Sequence, residues 1–156
     1  MPWINRERIA IIANLLKNVK IRPYTFDDPD LYPEPNRYDR ETVARFFLVM
    51  VAMDHRLHRP GRPYVAKMEG KIYWGSDLLY KLGKLKLLED PTFFDPQVLA
   101  HIDCKEVERW LSIENAKPPD PEVRAKLLRD LGRKLTPLYN GSALRIIELS
   151  RGKLYG

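Results

Sequence analysis

Phe46-Phe47-Leu48-Val49-Met50-Val51-Ala52-Met53 is the longest apolar run of the chain, and its reading decides the fold. With Val43 it places Val43, Phe46, Phe47, Met50 and Met53 at helical spacing, while Leu48, Val49 and Val51 make the segment apolar almost all round. Such a helix belongs at the centre of a fold. Asp39 supplies its N-cap. Downstream it runs into Asp54-His55-Arg56-Leu57-His58 and stops near Pro60-Gly61. Eight apolar residues are far short of the roughly 20 that span a bilayer, so no membrane helix is expected.

Working toward the N-terminus, residues 23–36 hold Pro23, Pro29, Pro33 and Pro35 with Asp27, Asp28, Asp30 and Glu34. That density of missing N–H donors excludes a regular element. The segment reads as an acidic loop packed through Tyr24, Phe26, Leu31 and Tyr32, or as a flexible linker. Before it, Asn5 caps a first helix with Ile9, Ile12, Leu16 and Val19 on one stripe.

Toward the C-terminus, Tyr64-Val65-Ala66-Lys67 and Lys71-Ile72-Tyr73-Trp74 read as a short hairpin turning at Glu69-Gly70. Ser76 caps a helix carrying Leu78, Leu79, Leu82 and Leu85. Asp95-Pro96 opens a short helix with proline at its first position. Asp103 and Glu106 form a capping-box-like pair for a helix through Val107, Trp110 and Leu111. Asp120-Pro121 starts a helix with Val123, Leu127, Leu128, Leu131 and Leu135 as its stripe, ended by Pro137. Gly141-Ser142 starts the last, with Leu144, Ile146 and Ile147. The expected fold is all-α: an orthogonal array of six to seven short helices with one small β-hairpin at 64–74. It forms a single domain over 1–156, with a proline-rich acidic loop at 23–38 and the main helical region at 39–156.

Composition narrows the function. The 156 residues are 44% hydrophobic, enough for a core. The first residues lack the apolar centre of a secretory leader. A lone cysteine, Cys104, excludes an internal disulfide framework and fits a reducing cytosol, so a cytoplasmic location is expected. No Gly-rich phosphate loop, G-x-S-x-G or CxxC occurs, which leaves most familiar enzyme classes without support. One Gln and one Cys against 48 charged residues and 13 prolines fit a thermophile.

The net charge is +6, from 27 Lys and Arg against 21 Asp and Glu. It is regional. Residues 55–86 hold eight cations (Arg56, Arg59, Arg62, Lys67, Lys71, Lys81, Lys84, Lys86) against Glu69 and Asp77. Residues 124–153 hold another eight, Arg129 and Arg133 among them, against Asp130 and Glu148. Clustering of this kind is the footprint of a polyanion binder, and nucleic acid or a nucleotide is the expected partner. Arg56, Arg59, Arg62, Lys81, Lys84, Lys86, Arg129 and Arg133 are the candidate phosphate contacts. Tyr73 and Trp74 are candidate base-stacking rings within the first cluster. The competing reading is a solvated surface over an aromatic core, the role assigned to Trp3 and Trp110.

His55-x-x-His58 and His101-x-x-Cys104 share one spacing and would make a four-ligand zinc site if the fold brought them together. His101 and Cys104 straddle a helix start, which favours a surface histidine and a small, partly buried thiol instead. No metal and no cofactor is therefore expected. Asp54, His55 and His58 are the candidate catalytic groups, because a carboxylate beside an imidazole orients its tautomer and raises its pKa. The competing reading is that Asp54 caps its helix and the histidines lie in surface grooves.

Several segments together resemble a known family. Phe46 through His58 resembles the segment that lines the base pocket in the queuosine-salvage nucleoside-glycosylase family. Tyr73-Trp74-Gly75-Ser76-Asp77-Leu78-Leu79-Tyr80 is similar to its aromatic-Gly-aromatic helix start. Asp90-Pro91 through Ala100, the helix from Pro121 to Leu135, Tyr139-Asn140-Gly141-Ser142 and Glu148-x-Ser150 follow in register. That family is built like the helix-hairpin-helix DNA glycosylases. The resemblance implies an all-α fold, a base-sized pocket and hydrolysis of an N-glycosidic bond with carboxylate assistance, without a metal. It adds Asp77 to Tyr73 and Trp74 as base-binding candidates. The family's principal catalytic Asp lies in a later segment that nothing up to Gly156 matches. A partner chain supplying that half of the site is thus one expectation. The alternatives are a non-catalytic nucleic-acid or ribonucleoprotein-binding module and a subunit of a larger complex.

Overall fold

The computed structural model describes residues 4–17, 19–20, 25–151 and 153. The readings of Trp3, Pro23 and Tyr24 lie outside these residues. In chain order the elements are α1 (Arg6–Lys17), α2 (Arg40–Met53), β1 (Val65–Met68), β2 (Lys71–Trp74), α3 (Ser76–Glu89), a 3₁₀ turn (Pro91–Phe94), α4 (Pro96–Leu99), α5 (Cys104–Leu111), α6 (Pro121–Tyr139) and α7 (Leu144–Ser150). The fold is mostly α with one hairpin, as the sequence led one to expect.

Helix α2 is central because its apolar side chains point several ways at once. Phe46, Val49, Met50 and Met53 are buried and meet Leu78, Leu79 and Leu87 of α3, Phe93 and Phe94 of the 3₁₀ turn, and Leu128 of α6 in one core. Asp39 caps α2 as expected, accepting from the Thr42 N–H at 2.9 Å. Asp103 caps α5 in the same way through the Glu106 N–H at 2.7 Å. The hairpin pairs Val65 with Trp74 and Met68 with Lys71. Its turn places Glu69 (φ 52°) and Gly70 (φ 81°) in the left-handed region, the backbone that matches strand twist in a two-residue hairpin.

Helix α1 forms as expected but buries no residue, so its apolar stripe faces outward. Three expectations fail for identifiable reasons. Ser76 does not cap α3. Gly75 occupies that position, and the Ser76 hydroxyl donates to Asp54 instead. Pro137 does not end α6, which continues to Tyr139 and closes on left-handed Asn140, whose N–H donates to the Leu135 carbonyl. The buried face of α6 is also turned from the expected stripe. Arg124, Ala125, Leu128, Gly132 and Leu135 are buried, whereas Val123 and Leu127 are exposed. The α4 backbone fixes that face, since a Cβ on Gly132 would lie 2.5 Å from both the Ala100 nitrogen and the Pro96 carbonyl oxygen. No side chain larger than hydrogen fits this crossing.

Over residues 25–38 the acidic loop packs on the body as a strap rather than running free as a linker. Leu31 and Tyr32 are buried in the core. Asp30 accepts from Lys81 Nζ, Lys71 Nζ and the Tyr73 hydroxyl, each at 2.7 Å. Glu34 accepts from Lys84 Nζ at 2.9 Å, and the same ammonium donates to the Pro29 carbonyl. The strap lies along α3 and β2 and is held there by opposite charge.

At the far side of α2, Glu41 organises the last helix. Its carboxylate accepts from the Ser142 hydroxyl at 2.7 Å and from the Ala143 and Leu144 N–H groups at 2.7 and 3.1 Å. Arg45 donates to the same carboxylate at 2.9 Å, and also to Asp95 and to the Gly141 carbonyl. A carboxylate on the unpaired N–H groups ahead of a helix satisfies donors that have no intrahelical acceptor. Burial pushes the Glu41 pKa up, but these donors outweigh it and leave it below the usual carboxylate value.

Candidate functional site: an aromatic cleft with two carboxylates

The strap, the end of α2 and the start of α3 together border an open cleft of about 520 Å³. Its aromatic wall has a sequence origin in each element. Phe26 and Tyr32 come from the strap, Phe47 from the solvent side of α2, and Tyr80 from the first turns of α3. The rings interlock. Tyr32 stacks on Phe47 at 5.7 Å between centroids, while Phe26 meets Tyr32 and Phe47 edge-on at 5.4 and 5.7 Å. Tyr80 meets Tyr32 edge-on at 5.3 Å.

The polar side of the cleft is Asp54, Ser76 and Asp77. Asp54 ends α2, and its N–H returns to the Val51 carbonyl. Its carboxylate accepts from the Ser76 hydroxyl at 2.7 Å, which links the end of one helix to the start of the next. Tyr80 is buried beside it. Burial first, and then the nearby Asp54 carboxylate and Tyr32, push the Tyr80 hydroxyl up to about 12, so the phenol stays neutral across the working pH range. Flat aromatic faces with carboxylates at one edge suit a heterocycle bearing N–H groups, or a developing positive charge.

One side chain behind this site gave no signal in the sequence. Arg124 is 1% exposed, and its guanidinium hydrogen bonds go to backbone carbonyls. Its guanidinium donates to the Met53 carbonyl at 2.5 Å, the His55 carbonyl at 2.8 Å and the Pro119 carbonyl at 2.9 Å. The first two flank Asp54, so a buried cation from α6 fixes the backbone on both sides of the cleft carboxylate. Burial lowers the Arg124 pKa, opposed by the nearby Tyr64, Asp120 and Asp54. Arg124 stood within the second cationic cluster of the sequence. Only its position one residue beyond Val123 on the rotated face distinguishes it.

The structure brings together two of the expected site residues, Asp54 and Asp77, and sets the others apart. His55 and His58 do not line the cleft, because the chain turns away after Asp54 with Arg56 in the left-handed region at φ 48°. Trp74 is exposed on the hairpin and does not line the cleft either. Tyr73 is not a free stacking ring: it is 2% exposed and donates to Asp30. Lys81 and Lys84 are not open phosphate contacts. Both are buried against the strap carboxylates, and the sequence clustered them with outward cations because their acids lie about 50 residues earlier.

The remaining cations are dispersed. Arg59 pairs with Asp120, and Lys86 pairs with Glu89 at 3.1 Å while lying over the Phe93 ring. Arg62 lines a separate hollow with Asn115 and Lys117. Arg129 donates to the Ile102 carbonyl and to Glu122, both at 2.9 Å, and shares the outer face of α6 with Lys126 and Arg133. Arg56 is exposed. Among the described residues no three His, Cys, Asp or Glu side chains gather to hold a metal. His101 bonds the Gln97 carbonyl through Nδ1 at 2.9 Å, and Cys104 is partly buried. No described helix is long and apolar enough to cross a membrane.

No protein-family model matches the chain, and no curated protein matches it.

Proposed function

We propose that the chain is a glycosylase-like domain whose cleft receives a nucleobase or nucleoside. The observation that carries this reading is the meeting of Asp54 and Asp77 with four aromatic rings in one cleft of about 520 Å³. The accessible faces of Phe26 and Phe47 stack on a flat base, backed by the buried rings of Tyr32 and Tyr80. Asp77 accepts from its ring or exocyclic N–H groups. Asp54, oriented by Ser76 and by the Arg124-bonded backbone, faces the sugar, where a carboxylate stabilises the oxocarbenium-like centre of N-glycosidic hydrolysis. The single cysteine supports a reducing cytosol as its location.

Two measurements test this. Titration of free bases, nucleosides and nucleotides, followed by intrinsic fluorescence, should give saturable binding that Phe47→Ala and Asp54→Ala each weaken about tenfold or more. Chromatography of nucleosides, nucleotides and damaged DNA incubated with the chain should show released base. Binding that neither substitution alters would overturn the reading.

A second reading, a nucleic-acid-binding module without catalysis, is favoured by Lys126 and Arg133, which line the outer face of α6 with no acidic partner among the described residues. It predicts polyanion binding that falls steeply with salt and is indifferent to Asp54→Ala.

A further inference from the structure

The fold leaves two apolar surfaces bare, and they have complementary shapes. Helix α1 is twelve residues long and buries none of them. Ile9, Ile11, Ile12, Leu15 and Leu16 are each more than half exposed. At helical spacing these five fall within one arc of roughly 160°, with Arg8 the one charge inside it. An isolated helix of this length is marginal in water, so α1 needs that face covered.

The complementary surface is a groove of about 560 Å³ between α2 and α7. Val43, Phe47 and Val51 form one wall and Leu144, Ile146 and Ile147 the other, with Arg40 its one charged lining residue. Val51 and Ile147 are 62% and 56% exposed, so no other part of the described chain fills it.

We propose that this groove seats α1 of a second copy of the chain, giving a two-fold dimer with exchanged N-terminal helices. The donor is a second copy because each chain carries both a bare apolar helix and, among the described residues, a bare apolar groove, so two copies cover each other reciprocally. The area suffices. Five half-exposed Ile and Leu side chains present on the order of 500 Å² per helix. Two reciprocal contacts with their grooves therefore remove at most on the order of 1,400 Å² from water, within the range of a standard-size interface. The exchange is isologous and closes on itself. It also bears on the cleft, since Phe47 and Val51 line both hollows and the docked helix lies beside the cleft mouth. The proposal stands on apolar surface alone and is independent of what the cleft binds.

Sedimentation equilibrium of the full chain is expected to give twice the 18.3 kDa monomer mass. The double variant Ile12→Glu/Leu16→Glu and the single variant Ile147→Glu should each raise the dimer dissociation constant at least 100-fold. All three positions are exposed, so both variants should keep the near-ultraviolet signature of the folded aromatic core, with a lower melting temperature at dimer-forming concentrations as the dimer is lost. In a Cys104→Ser background, chains carrying Ile12→Cys mixed with chains carrying Ile147→Cys should form an interchain disulfide on mild oxidation. This reads the contact without introducing charge. A monomer at every concentration overturns the proposal. So does a dimer indifferent to both surfaces, or a disulfide that forms only within a chain carrying both cysteines.

Discussion

Residues 55–86 and 124–153 carry the same linear charge, eight Lys or Arg against two acids, yet they dispose of it in different ways. In the first, Lys71, Lys81 and Lys84 turn toward the strap and are neutralised by Asp30 and Glu34. In the second, Arg124 is buried against carbonyls, while Lys126 and Arg133 face outward along α6. Equal charge density along the chain therefore gives unequal surface potential. The first segment uses Lys71, Lys81 and Lys84 to hold a wall of the cleft, and the second keeps Lys126 and Arg133 for solvent or a polyanion.

The largest expected effect separates these roles. Asp30→Ala leaves the Lys81 ammonium buried without its main partner and should cost about 3 kcal/mol, read from the urea midpoint. Pairing Asp30→Asn with Lys81→Met, which removes the buried charge, should recover much of that loss. An equal loss in the paired variant would show that the strap is held by its apolar contacts instead.

Gly132→Ala tests whether α6 is held by backbone approach rather than by ion pairs. It should cost about 2 kcal/mol through the contact with Ala100 and Pro96, with no change in the salt dependence of unfolding. Stability that becomes more salt-sensitive would contradict this.

Acid should loosen the first segment selectively. Hydrogen bonds from Lys71, Lys81 and Tyr73 hold Asp30 well below the usual carboxylate range, and the Lys84 hydrogen bond lowers Glu34. Because the folded values are depressed, this stabilisation is fully present above the unfolded carboxylate pKa of about 4 and is lost as pH falls through the folded values. Urea midpoints should therefore fall below about pH 4, and fall less steeply in Asp30→Asn. The smallest stability effect belongs to Lys126→Ala and Arg133→Ala, each within about 0.5 kcal/mol. If the outer face of α6 holds nucleic acid, each should lower the slope of log affinity against log salt by about 1.

The sequence alone determined what depends on near neighbours. The apolar run at 46–53 specified a central helix, Asp39 and Asp103 their caps, and Glu69-Gly70 the hairpin turn, because helical spacing, capping and turn geometry are settled within a few residues. It also named Asp54 and, through the resemblance, Asp77, which line one cleft, beside His55, His58, Tyr73 and Trp74, which do not. The tertiary structure alone decided the sign and accessibility of the surface. Whether Lys81 faces solvent depends on Asp30, 51 residues earlier, and the packed face of α6 depends on the α4 backbone at Gly132. No local pattern revealed that Arg124 would hold the backbone around Asp54, some 70 residues away. Charge pairing and close packing act across the folded chain, where separation in sequence carries no information about distance.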